Sequence, residues 1–140
     1  MNLRIYIAGP ISNGHAANAR DIYKNVREAE KYYEALIQNG WTPICPHLSY
    51  HAWLGFANDV HWDRWIELDL DLIDSCAAVL RIPGESKGAE VEVVYAKEHD
   101  IPIIKVLGPL TAFHHLEKQF GKPEKRKDLQ KYLDMIRSNK

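Results

Sequence analysis

Four short apolar runs punctuate the chain: Leu3 to Ala8, "WTPIC" (41–45), "AAVLRIP" (77–83) and "IPIIKVL" (101–107). They are apolar along their length instead of alternating with polar residues, and stretches of helical periodicity separate them. A strand that is apolar on both sides must be covered on both faces, and strands that alternate with helices run parallel. The pattern therefore predicts an α/β fold: an open parallel sheet of Rossmann or flavodoxin type with helices on both faces. Ligands of such sheets sit beyond the carboxyl ends of the strands.

The strand ends are marked by Gly9-Pro10 and Pro83-Gly84, pairs that stop a ladder. From about Ala17, the residues Ile22, Val26, Ala29, Tyr33, Leu36 and Ile37 recur at helical spacing, and Asn39-Gly40 supplies a left-handed cap. A second helix is expected over roughly Asp59 to Ser75 and a third over 86–99. Residues 46–58, "PHLSYHAWLGFAN", fit neither template and read as a pocket wall or as a crossover packed on the sheet. One domain is expected: residues 1–110 as the α/β body and 111–140 as a helical, basic C-terminal extension of it.

The 140 residues include 18 Lys and Arg against 19 Asp and Glu, a formal net charge of −1. That balance gives no long-range attraction to a polyanion, so nucleic acid is a disfavoured partner, whereas a small phosphorylated ligand is compatible with it. Cys45 and Cys76 lack metal-knuckle spacing and read as reduced core thiols. The start "MNLRIYIAGP" has too short an apolar run for a secretory leader, and no run approaches the roughly 18 residues of a membrane span. A cytoplasmic protein without membrane association is expected.

The second helix carries the sharpest chemical signal. Trp62, Trp65, Ile66, Asp69, Leu72, Ile73 and Cys76 share one face, an apolar stripe interrupted by a single carboxylate. A carboxylate there must be hydrogen-bonded, paired or poised for a task, so Asp69 is either a structural anchor or a functional group. In "SKGAEVEVVYA" the two glutamates are two residues apart and cannot share a helix face. Glu92 groups with the small residues Gly88, Ala89 and Ala96, which leave room for a ligand; Glu90 groups with Lys87, Val94 and Lys97 and reads as a surface charge. Ser86 is the expected N-cap, and its hydroxyl together with the free N–H groups near Gly88 could instead hold an anion. On the first strand Tyr6 could present its hydroxyl to a carboxylate, and Gly9 permits close backbone approach. His47 and His51 are four apart but lack the glutamate of a zinc-protease motif, so no metal and no other cofactor is expected.

Taken in order, "IYIAGPIS", "WIELDLDLIDSCAAVLRIPG" and "SKGAEVEVVYA" resemble the nucleoside 2-deoxyribosyltransferase-like superfamily, which includes the 2′-deoxynucleoside 5′-phosphate N-hydrolases. The likeness spans about residues 3–107. It implies Glu92 as the nucleophile on the anomeric carbon, Asp69 as the group that protonates or orients the leaving base, and Tyr6 as the residue that holds the nucleophile. Gly9, Pro10 and Ile11 would line the pocket, with Ser86, Gly88 and Ala89 at the phosphate end and Arg20 a candidate contact. A serine at 86 tilts the resemblance toward a nucleotide hydrolase over a transferase of free nucleosides. The same resemblance implies a nucleotide or nucleoside ligand and a homodimer or higher homo-oligomer. The alternatives are deoxyribose transfer between bases and a non-catalytic nucleotide-binding module.

Overall fold

The computed structural model describes residues 3–11, 19–49 and 62–138. Within them the order is β1 (Arg4–Ala8), α1 (Ala19–Gln38), β2 (Thr42–Ile44), a single 3₁₀ turn (Pro46–Ser49), α2 (Trp62–Asp74), β3 (Ala78–Arg81), α3 (Lys87–Glu98), β4 (Ile103–Lys105), α4 (Pro109–Phe120) and α5 (Leu129–Ser138). The four strands form one sheet in the order β2-β1-β3-β4, every pair parallel. This is the doubly covered α/β sheet that the apolar runs require.

Strand alternation divides the core into two layers. Ile5, Ile7, Leu80, Ile82, Ile104 and Val106 belong to one layer, together with Ala29 and Leu36 of α1 and Ala112 and Leu116 of α4. Tyr6, Ala8 and Val79 belong to the other, with Ile73 of α2 and Ala89 and Ala96 of α3. Trp41, just before β2, meets Phe120 at the end of α4 edge-to-face, with ring centroids 6.5 Å apart.

The face that α1 buries differs in one turn from the expected one. Ile22, Val26, Ala29, Tyr32 and Leu36 are buried, Tyr33 is half-buried, and Ile37 is exposed. Spacings of three and four are both helical, and tertiary packing selects Tyr32 in place of the expected Tyr33. The Asn39-Gly40 stop behaves as read: Gly40 has φ +87°, and Trp41 N–H donates to Leu36 O at 2.9 Å. Both cysteines are free and buried. At the far end, α5 buries no residue, and Tyr132, Met135 and Ile136 lie open on its surface.

Gly9 shows why the exit from β1 is sensitive to side-chain size. A Cβ there would overlap Ile82 Cγ1 and come within 2.7 Å of Ile82 Cδ1, and Ile82 is itself buried. Gly9→Ala is therefore expected to destabilise the protein by about 1–3 kcal/mol, the usual cost of overpacking. Urea denaturation of the two proteins measures it.

Candidate active site

The three side chains singled out by residue chemistry meet on the side of the sheet covered by α2 and α3, within electrostatic reach of one another. Tyr6 is the third residue of β1, points into the α2/α3 layer and is fully buried. Asp69 is half-buried on α2, and Glu92 is 7% exposed in the second turn of α3. An isolated carboxylate at that depth is costly unless it is protonated or matched by a donor.

Burial shifts all three groups, and Tyr6 and Glu92 also feel each other and the Asp69 charge. Burial pushes Glu92 up to about 8; the Tyr6 hydroxyl pulls it down, the Asp69 charge pushes it up, and Arg81 pulls it down. Burial raises Asp69 to about 6. Burial drives the Tyr6 phenol upward, and the charges of Glu92 and Asp69 drive it further, so it remains a proton donor. The Tyr6 hydroxyl is near enough to act on Glu92, yet neither it nor Glu92 Oε2 has a hydrogen-bond partner of standard geometry among the described residues. Buried polar groups without partners are uncommon and cost free energy comparable to a lost hydrogen bond.

The local frame explains how the carboxylates are held. Tyr95, three residues after Glu92, donates its hydroxyl to Asp74 Oδ1 at 2.5 Å and so ties α3 to the end of α2 that carries Asp69. Ser86 caps α3: its Oγ accepts from Ala89 N–H at 3.0 Å. The hydroxyl hydrogen of Ser86 is thereby left available to donate. Gly88 is half-buried and Ala89 is buried beside it.

Glu90 faces outward, with its side chain 70% exposed and 3.2 Å from Arg81 Nη2. Arg81 was not singled out from sequence. Its side chain is only 10% exposed, and its guanidinium donates to Ile82 O and Gly84 O, bracing the turn that leaves β3. A charged residue inside the apolar run "AAVLRIP", two positions after Val79 and therefore on its face, was the available signal.

Of the expected pocket residues, Gly9 and Pro10 are buried at the exit from β1 and Ile11 is exposed. Gly84, at φ +117°, lies so close to Pro10 that a Cβ on it would come within 2.7 Å of Pro10 Cγ. The turns after β1 and β3 thus pack against each other. Arg20 is exposed at the start of α1. His51 and residues 12–18 lie outside the described residues, as does the side chain of Trp62. His47 is buried, with Nε2 3.2 Å from both Gly9 O and Pro10 O.

Two concavities lie elsewhere. One, of about 160 Å³, opens between Trp41 and Phe120 near the amino end of the sheet. The other, of about 420 Å³, lies against β4 and α4. Neither is lined by Tyr6, Asp69 or Glu92, and the perturbed carboxylates make their own location the stronger candidate. No helix among the described residues is long and apolar enough to cross a membrane.

The profile of a domain of unknown function, DUF7768, matches residues 3–106. The chain belongs to the DUF7768 family. The matched span runs from the start of β1 to just past β4 and so takes in Tyr6, Asp69 and Glu92. This DUF7768 protein is similar in fold to a 2-deoxyribosyltransferase from the psychrotolerant bacterium Bacillus psychrosaccharolyticus. The TM-score is 0.54 at 18% identity, covering 73% of this chain and 70% of that one. The likeness is one of fold. No curated protein sequence matches the chain.

Proposed function

We propose that the protein is an N-glycosidase that hydrolyses the base–sugar bond of 2′-deoxynucleoside 5′-monophosphates. The observation that carries this reading is Glu92: a buried carboxyl near the start of the helix that follows β3, with an Oε2 unpartnered among the described residues, beside a tyrosine hydroxyl and a second perturbed carboxyl. Cleaving an N-glycosidic bond passes through an oxocarbenium-like state, which needs a carboxylate at the anomeric carbon and a proton for the departing base.

Glu92 and Asp69 supply both in the arrangement that places their one shared proton on Asp69. The ionised Glu92 attacks C1′, forming a glycosyl ester as the C1′–N bond breaks, and Asp69 gives its proton to the base nitrogen. Water then attacks C1′, returning a proton to Asp69 and freeing the Glu92 carboxylate. The Tyr6 hydroxyl, whose proximity draws the Glu92 pKa down, favours the ionised form. Ser86, with a hydroxyl hydrogen to spare at the N-terminus of α3, suits the 5′-phosphate. The expected assembly is a homo-oligomer.

Chromatography of deoxy- and ribonucleoside monophosphates incubated with the protein tests the proposal: a free-base peak is expected, and its absence across the panel overturns it. The fold likeness to a 2-deoxyribosyltransferase favours base exchange as the second reading. An added acceptor base separates the two, because only a transferase makes a new nucleoside.

A further inference from the structure

We propose that His47 is a positioning residue for this site: its Nε2–H holds the consecutive carbonyls of Gly9 and Pro10 and thereby fixes the loop that leaves β1. The effect on turnover rests on the glycosidase reading above; the structural half of the inference does not.

His47 is only 2% exposed, and its Nε2 lies 3.2 Å from Gly9 O and 3.2 Å from Pro10 O. Carbonyl oxygens only accept, so the nitrogen between them must carry the hydrogen. Nδ1 then bears a lone pair, and it faces Cys45 Sγ at 3.7 Å. The one consistent arrangement of neutral groups runs from the Cys45 thiol to Nδ1 and from Nε2–H to the two carbonyls. Burial supports it at both ends, pushing the Cys45 thiol up to about 12 and the imidazole down to about 4.

What is held is the loop nearest Tyr6. The next carbonyl, Ile11 O, accepts from Asn25 Nδ2 of α1 at 2.8 Å, so three carbonyls in succession are anchored by side chains. In a trans peptide the N–H lies opposite the C=O, so the grip on Pro10 O turns Ile11 N–H away from the imidazole. Gly9 is wedged against Ile82, and Pro10 against Gly84. A contact made only to fill the core would not need a donor aimed between two oxygens. His47 therefore links the end of β2 to the loop on β1 and sets the backbone against which a ligand would be seated.

Two variants and one spectroscopic reading test this. Nitrogen-15 correlation spectra of the wild type are expected to show a neutral imidazole protonated at Nε2. In His47→Leu the Ile11 amide resonance should move, and in His47→Gln, whose side-chain amide can still donate, it should return toward the wild-type position. On the deoxynucleotide that the wild type cleaves, His47→Leu is expected to raise KM by roughly tenfold to 100-fold, the scale of a misplaced positioning group. His47→Gln should recover most of that, at a temperature where circular dichroism shows all proteins folded. An Nδ1–H tautomer, or an Ile11 resonance indifferent to both variants, overturns the inference even if no substrate is ever cleaved. An unchanged KM in folded His47→Leu overturns it where turnover is measurable. If His47→Leu does not fold, the wild-type tautomer and the KM and Ile11 resonance of His47→Gln decide the matter. A lost base peak in the wild type with the Nε2–H tautomer present sinks the glycosidase reading alone.

Discussion

Glu92→Gln is expected to lower kcat for base release by at least about 1,000-fold, because the amide cannot form the glycosyl ester. The same substitution is expected to stabilise the fold. Burial chiefly lifts the Glu92 carboxyl from its ordinary 4.5 up to about 8. Between those pH values the native state holds a proton that the unfolded state has released, so stability falls as pH rises through the window. Glutamine carries no such penalty. The stability gain should be absent below about pH 4.5, where both states of the wild type are protonated, and full above about pH 8. It is on the order of 3 kcal/mol, or roughly 10 °C in Tm. Thermal denaturation at pH 4 and pH 8.5, run beside the activity assay, checks both halves. A Glu92→Gln protein that is less stable at pH 8.5 would mean that the carboxylate holds the fold together and does not serve a ligand.

A bell-shaped pH dependence of kcat/KM is the second expectation, with limbs near pH 6 and pH 8, where Asp69 and Glu92 titrate. Between these limbs the two carboxyls hold one proton between them, and the reactive arrangement is the less populated one, with that proton on Asp69 and Glu92 ionised. In Asp69→Asn the acid is lost, and kcat is expected to fall about 100-fold. The bell should collapse to one ascending limb governed by ionisation of Glu92. That limb should lie below pH 8, because the Asp69 charge that raises Glu92 has been removed. A full bell surviving in Asp69→Asn would exclude Asp69 as the proton donor.

The parallel sheet was legible because covering a strand on both faces leaves a mark on every residue in it. Ile5, Tyr6 and Ile7 are all fully buried, as the unbroken apolar run demands. Helix geometry puts Glu92 and Glu90 on different faces and the small neighbours Gly88, Ala89 and Ala96 mark Glu92 as the inward one; Glu92 is buried while Glu90 reaches Arg81. His47 could not be read in the same way. Its partners are 37 and 38 positions away, and the only local pattern, the spacing to His51, lacks the rest of a metal motif and says nothing of backbone carbonyls. Arg81 was hidden for a related reason: its role is to bond Ile82 and Gly84 carbonyls, and the sequence does not print the direction of a carbonyl. What escaped the sequence is the set of side chains that hold backbone in the turns, since those bonds depend on the path the chain has already taken.

The open surface of α5 has a consequence for how the protein meets a protease. Between Gly121 and Leu129 lie Lys122, Lys125, Arg126 and Lys127, all at the surface, and the helix beyond them buries nothing. By contrast, α4 is anchored through Ala112 and Leu116. Exposed connections of this kind are where nicking concentrates, and the loss of a segment without buried contacts costs the remainder little. Brief treatment with trypsin should clip first in this stretch and release α5. The resistant fragment, ending near Lys125, should retain the whole sheet and its cooperative melting transition.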